Sequence, residues 1–169
     1  MPDVLTDGPP ALRDHTTLRL GGPGREWVRA TTEADLVAAV SEADAAGTPV
    51  LVLAGGSNLV VADAGFDGRV VQVATTGVRT DAGDVDDVSP RCGGIEVTAA
   101  AGEDWDRFVA TAVDHGWAGV EALSGIPGAV GSTPIQNVGA YGQEVADTIA
   151  SVRVWDRRDR TVRTLPAAD

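Results

Sequence analysis

Apolar positions recur along this chain at two different periods, and the switch between them marks the elements. Residues 32–46 place Leu36, Val37 and Val40 on one stripe behind a Thr32 N-cap, with Asp35 at the acidic position of a capping box. A helix is predicted there, ending at Gly47 and Pro49. Residues 103–115 repeat the pattern with Trp105, Phe108, Val109, Ala112 and Val113, and Gly116 stands where a helix stops. Short β-branched or apolar runs read as strands at 50–53, 69–73 and 95–100. Residues 15–30 read as a strand, a turn at Gly21-Gly22-Pro23-Gly24 and a second strand. Residues 148–155 and 161–165 alternate polar with β-branched side chains around Arg157-Arg158-Asp159-Arg160, which predicts a β-hairpin. The series is βαβ followed by further strands and a helix, so the fold class is α+β.

The remaining stretches carry less pattern. Residues 1–14 are polar and proline-bearing and read as a loose leader. Residues 59–62 fit helix or strand equally, and the acidic stretch 79–94 reads as an exposed hairpin or loop. Residues 117–145 hold a glycine every few positions and keep apolar residues between them. They read as a structured loop with one or two short helical turns.

Composition narrows the chemistry. The 169 residues carry 25 acidic and 13 basic side chains, a formal net charge of −12. Nucleic acid and an anionic membrane surface are therefore excluded as partners, since both require a basic face. Every basic residue is arginine. Without lysine there is no P-loop and no Schiff-base chemistry. One cysteine (Cys92) and two distant histidines (His15 and His115) give no disulfide, no zinc finger and no metal centre. No apolar run approaches the eighteen or so residues of a spanning helix, and no secretory h-region opens the chain, so a cytoplasmic location is expected.

Two segments can carry function. The first is Ala54-Gly55-Gly56-Ser57-Asn58, directly after a predicted strand. Glycines let the backbone approach an anion, and successive N–H groups can form a cradle to which Ser57 and Asn58 add side-chain donors. The bland alternative is a tight turn. It is not the Rossmann fingerprint, for no G-x-G-x-x-G follows the strand. The second is the run from Gly125 to Gly142, G-I-P-G-A-V-G-S-T-P-I-Q-N-V-G-A-Y-G, too apolar for a linker. It reads as a loop that embraces a ligand mainly through backbone donors, or as an Ω-like loop that covers the core.

These two motifs, with H-T-T-L-R-L-G-G at 15–22 and A-G-E-D-W at 101–105, resemble the UDP-N-acetylenolpyruvoylglucosamine reductase (MurB) family of flavoenzymes, in that family's order. The resemblance implies an FAD-binding fold of the vanillyl-alcohol-oxidase type with two small α+β lobes. The first lobe would span 15–75 and the second 76–169. The second would be truncated, with a C-terminal substrate domain absent.

By match to the motifs, Gly55, Gly56, Ser57, Asn58 and Leu59 would hold the pyrophosphate. Ile126, Pro127, Gly128, Gly131, Ser132, Thr133, Gln136, Asn137, Gly139 and Ala140 would line the flavin, and Tyr141 would lie near its edge or the substrate. No histidine or cysteine occurs in 54–61, so FAD is expected to be noncovalent.

In the family, NADPH reduces FAD, which passes hydride to the enolpyruvyl group of a UDP-sugar to give UDP-N-acetylmuramate for peptidoglycan synthesis. The catalytic arginine, serine and glutamate sit in motifs that these residues lack. This stretch alone is thus expected to be an inactive, monomeric, FAD-binding fragment of an oxidoreductase. The alternatives are a nucleotide-holding module without chemistry and another flavin-dependent sugar or lactone oxidase of the same fold. Among other residues, Cys92 is expected to be a surface thiol, His115 a helix-end residue and His15 a local hydrogen-bond former. Trp105 is expected in the core, Glu121 is placed to brace the glycine loop, and Trp155 and Arg157–Arg160 are expected on the hairpin surface.

Overall fold

The computed structural model describes residues 9–81, 83–84 and 94–167. In chain order they form β1 (Gly24–Ala30), α1 (Glu33–Ala45), β2 (Val50–Leu53), β3 (Phe66–Val73), β4 (Val78–Thr80) and β5 (Gly83–Asp84). Then follow β6 (Val97–Ala99), α2 (Trp105–Asp114), β7 (Gly139–Ala140), β8 (Gln143–Glu144), β9 (Ser151–Asp156) and β10 (Thr161–Pro166). Single 3₁₀ turns lie at Leu12–His15, Glu121–Leu123, Val130–Ser132 and Val145–Asp147. The chain divides into two compact units. One holds residues up to Ala74 and those from Ala150 onward; the other is Thr75–Ile149.

In the first unit β1 and β2 both pair in parallel with β3, giving the order β1-β3-β2. Parallel strands of one sheet need a crossover, and α1 lies on the connection from β1 to β2, which flank β3. Thr32 caps α1 as its position predicts: its hydroxyl oxygen accepts the Asp35 N–H at 3.1 Å and its proton goes to the Asp35 carboxylate at 2.8 Å. The most buried face of α1 is Ala39, Val40 and Ala43, while Leu36 and Val37 are only half-buried. Small side chains let the helix lie close on Ala30 and Val71, both fully buried. Arg69 of β3 ties sheet to helix, donating to Glu26 at 2.8 Å and to the Ala39 carbonyl at 3.0 Å.

Three features of this unit depart from the sequence reading. The described end of the expected leader is folded in. Leu12 is fully buried against Leu53 and Val70, and its N–H donates to the Gly22 carbonyl at 2.9 Å. Burying one leucine is worth about 1.5–3 kcal/mol, enough to anchor so short a segment. No strand forms over 15–20, because the Thr16 hydroxyl donates to the Leu20 carbonyl and the Arg19 N–H to the Thr16 carbonyl, closing a local turn. Finally, the antiparallel β9–β10 hairpin belongs to the first unit, although chain order placed it in the second lobe. Trp155 packs against the Ala30–Val40–Val71 cluster. Arg153 grips Glu33 at 3.0 and 2.8 Å, and Arg157 grips Asp44 at 3.1 and 2.5 Å. The tryptophan and one of the turn arginines are thus engaged and not merely surface. Exposed ion pairs contribute little, so the half-buried indole carries most of this docking.

In the second unit β4 pairs antiparallel with both β5 and β6. Asp104 caps α2, accepting the Arg107 N–H at 2.9 Å. At the far end Gly116 takes φ +70°, and the Trp117 N–H reaches back to the Ala112 carbonyl at 2.8 Å. The core joins Trp105, Val109 and Ala112 of α2 to Leu123, Val138 and Val145 from the loops. Trp105 is in the core as expected, and its indole N–H donates to the Leu123 carbonyl at 3.0 Å. Cys92, and Ala82 and Val85–Asp87 of the acidic run, lie outside the described residues.

Candidate functional site

The Gly55-Gly56-Ser57-Asn58 turn leaves the carboxyl end of β2. In open parallel sheets that end of a strand is where ligands bind. Gly56 adopts φ +64°, a left-handed conformation that favours glycine. A Cβ there would overlap the carbonyl oxygen of His15, far inside the 3.0 Å that real Cβ atoms respect. The Gly56 carbonyl accepts the Thr17 N–H at 3.1 Å. The turn is therefore clamped from one side by residues 15–17. Among the described residues, the N–H groups of Gly55, Gly56 and Leu59 donate to no protein acceptor. Backbone donors left open on a clamped glycine turn suit an anion. Leu18 and Val60 are exposed on this unit, at 56% and 73%.

The Gly125–Gly142 segment is held down by residues 101–106 and by bonds within itself. Asp106 of α2 accepts the Gly125 N–H at 2.6 Å and the Ser124 hydroxyl at 2.9 Å, which hold its carboxyl below the usual range. Trp105 N–H donates to the Gly128 carbonyl, Val130 N–H to Glu103 and Gly131 N–H to Ala101. Gly131 is required sterically, for a Cβ would come within 2.5 Å of that of Ala101. Ala129, Thr133 and Val138 point inward as buried anchors.

The expected flavin-lining side chains divide accordingly. The Ser132 hydroxyl donates to the Ala129 carbonyl at 2.7 Å, and the buried Thr133 hydroxyl to the Val130 carbonyl at 2.9 Å. The Asn137 amide donates to Glu144 at 2.7 Å and its oxygen accepts the Ala146 N–H at 3.1 Å. These three side chains shape the loop. Ile126 packs on the core. Pro127, Gln136, Gly139 and Tyr141 are exposed, Gly128 and Ala140 half-buried. Ile135, which the sequence reading passed over, is 84% exposed and Tyr141 95%.

Tyr141 tops the β7–β8 hairpin, where it and Gly142 take φ +52° and +84°. Glu121 braces this hairpin, as its place before the loop suggests. Its carboxylate accepts the Gly119 N–H at 2.6 Å and the Gln143 amide at 2.9 Å, while the Gln143 oxygen accepts the Ala122 N–H at 2.8 Å. Backbone N–H bonds, with that of Gln143, hold the Glu121 carboxyl below the usual range. The histidines have local duties. His15 stacks on Trp27 with centroids 4.6 Å apart. His115 meets the Thr111 carbonyl at 2.8 Å at the end of α2 and stacks on Trp117. The support that residues 15–17 give to Gly56 was not legible, because nothing in the spacing pairs positions forty apart. Among the described residues no cluster of three or more potential metal ligands occurs, and no helix is long and apolar enough to cross a membrane.

The first unit by itself thus couples a glycine turn with open backbone donors to exposed apolar side chains, and the second by itself exposes Ile135 and Tyr141 on a glycine segment whose N–H groups are largely bonded within the unit. That donor set fits a ligand with a diphosphate and flat rings, as FAD has. Residues 26–165 match the family described as the FAD binding domain. The chain is 56% identical to the UDP-N-acetylenolpyruvoylglucosamine reductase of Cutibacterium acnes over 152 residues, covering 90% of this chain and 39% of that protein. It is 55% identical to the same enzyme of Saccharopolyspora erythraea over 163 residues, covering 96% and 42% respectively. Among solved structures it resembles the MurB reductase of Thermus caldophilus, with TM-score 0.71 and 28% identity over 94% of this chain and 52% of that one. The chain spans about two-fifths of these curated relatives' length. It belongs to the FAD binding domain family and matches the UDP-N-acetylenolpyruvoylglucosamine reductases over their FAD-binding part.

Proposed function

We propose that this chain holds FAD noncovalently for a reductase that draws on NADPH and reduces the enolpyruvyl group of a UDP-sugar in cell-wall synthesis. The carrying observation is the clamped Gly55–Leu59 turn at the end of β2, whose open N–H donors suit the diphosphate. FAD, once bound, supplies hydride transfer. The residues present hold and orient it. Gly55, Gly56 and Leu59 give backbone donors, with Ser57 and Asn58 beside them. Gly128, Gln136, Gly139 and Ala140 offer the loop's accessible backbone, and Tyr141 an aromatic face. Ser132, Thr133 and Asn137 keep that loop in shape. The two units serve as two FAD-binding lobes of a monomeric, cytoplasmic protein that meets neither nucleic acid nor membrane. The acid–base groups of the reaction are assigned to no residue of this chain.

The test is a visible absorption spectrum of the purified chain after incubation with FAD and removal of excess. A retained flavin band, released by heat or acid, supports the reading. A cooperatively folded chain that retains none refutes it. Bleaching by NADPH on the same sample then asks whether electron entry needs more than these residues.

A further inference from the structure

The contacts of Glu121 have a fixed polarity. Gly119 N–H and Ala122 N–H can only donate, and a carboxylate can only accept. The Gln143 amide is therefore oriented, with its oxygen on Ala122 and its NH₂ on Glu121. The chain between these partners contains the whole Gly125–Gly142 segment. Gln143 sits one residue past the turn that carries Tyr141, and Asn137 fastens the other side of that turn to Glu144 and Ala146. The tyrosine is 95% exposed and occupies a left-handed conformation that a side chain adopts only when its surroundings impose it.

We infer that Glu121 is a positioning residue: through Gln143 it locks the β7–β8 hairpin and so fixes how the Tyr141 end of the loop is presented to the flavin. Its link to flavin rests on the function proposed above. The lock itself does not. Glu121→Gln keeps size and shape but presents an NH₂ either to a backbone N–H or to the Gln143 NH₂, so one contact becomes donor against donor. The exchange E121Q/Q143E matches a donor to an acceptor at every contact again. The amide now at position 121 donates to the carboxylate now at position 143, which still accepts the Ala122 N–H. Net charge is unchanged in the exchange.

Two measurements on the full chain decide it. Chymotrypsin cleavage after Tyr141, followed by mass spectrometry without flavin, reads hairpin opening. It should be roughly tenfold faster in Glu121→Gln, the loss of about one charge-assisted hydrogen bond, and return to the parental rate in the exchange variant. FAD affinity should fall and recover in parallel. Equal cleavage in Glu121→Gln and the parent overturns the lock, as does an exchange variant that is folded by circular dichroism yet still cleaved fast. Cleavage that follows the lock while FAD affinity stays constant overturns the positioning role. If the parent binds no FAD, the functional proposal fails and cleavage still judges the lock.

Discussion

Gly56→Ala tests whether the turn after β2 is clamped as described. The new Cβ must overlap the His15 carbonyl oxygen while the backbone holds φ +64°. The left-handed conformation costs an alanine about 1–2 kcal/mol. Moving a packed backbone aside adds about 1–3 kcal/mol, and losing the Thr17 N–H to Gly56 bond about 1 kcal/mol. Residues 15–17 cannot yield freely, since Leu12 is buried just before them and His15 lies on Trp27. The expected loss is about 3–6 kcal/mol, a large share of the 5–15 kcal/mol typical of a domain. Gly142→Ala is the control. Its φ is +84° but nothing lies within 4 Å of its Cβ, so only the conformational cost of about 1–2 kcal/mol applies. Urea unfolding followed by circular dichroism separates the two. At a slope of about 2 kcal/mol per molar, Gly56→Ala should lower the midpoint by at least about 1.5 M and Gly142→Ala by less than about 1 M. Equal midpoints for the two variants would refute the clamp.

Other outcomes follow from the same contacts. Asn137→Ala removes both bonds of the amide and places alanine at φ +46°. It should cost about 2–3 kcal/mol in urea unfolding and weaken FAD binding, whereas Asn137→Gly should recover the conformational part alone. Trp105→Phe leaves the Leu123 carbonyl without its indole donor and should cost about 1–3 kcal/mol by the same assay. Hydrogen bonds from Arg153 and Arg157 hold the Glu33 and Asp44 carboxyls below their ordinary values. The folded chain therefore binds fewer protons than the unfolded one near those values. That stability is present at neutral pH and is lost as pH falls below about 5 and through the lowered pKa values. In R153M/R157M the acid-side slope of the urea midpoint should flatten, keeping a remainder from Asp106, Glu121 and Asp156, which are also held low.

Local signals were read correctly where the cause was local. The Thr32 cap, the Gly116 stop and the β9–β10 turn all follow from a few neighbouring residues. What failed to show was long-range. Trp155 belongs with Ala30 and Val40, and Arg153 with Glu33 at a separation of 120 residues, so the hairpin's unit could not be read from chain order. Leu12 looked like part of a polar leader because one leucine makes no periodicity. The glycine segments stood out as candidate sites, yet which atoms they keep for themselves was hidden. Ser132, Thr133 and Asn137 were expected to line the flavin by match to the family motif, while in the structure their polar atoms bond to Ala129, Val130, Glu144 and Ala146 close by in the chain.

The most direct measurement is a titration of the ¹⁵N-labelled chain with FAD, followed amide by amide in ¹H–¹⁵N spectra. The account predicts the largest shifts at Gly55, Gly56 and Leu59 and at accessible amides of the Gly125–Gly142 segment, with the α1 amides little changed. Saturable binding that shifts other amides and leaves the Gly55–Leu59 turn untouched would contradict it.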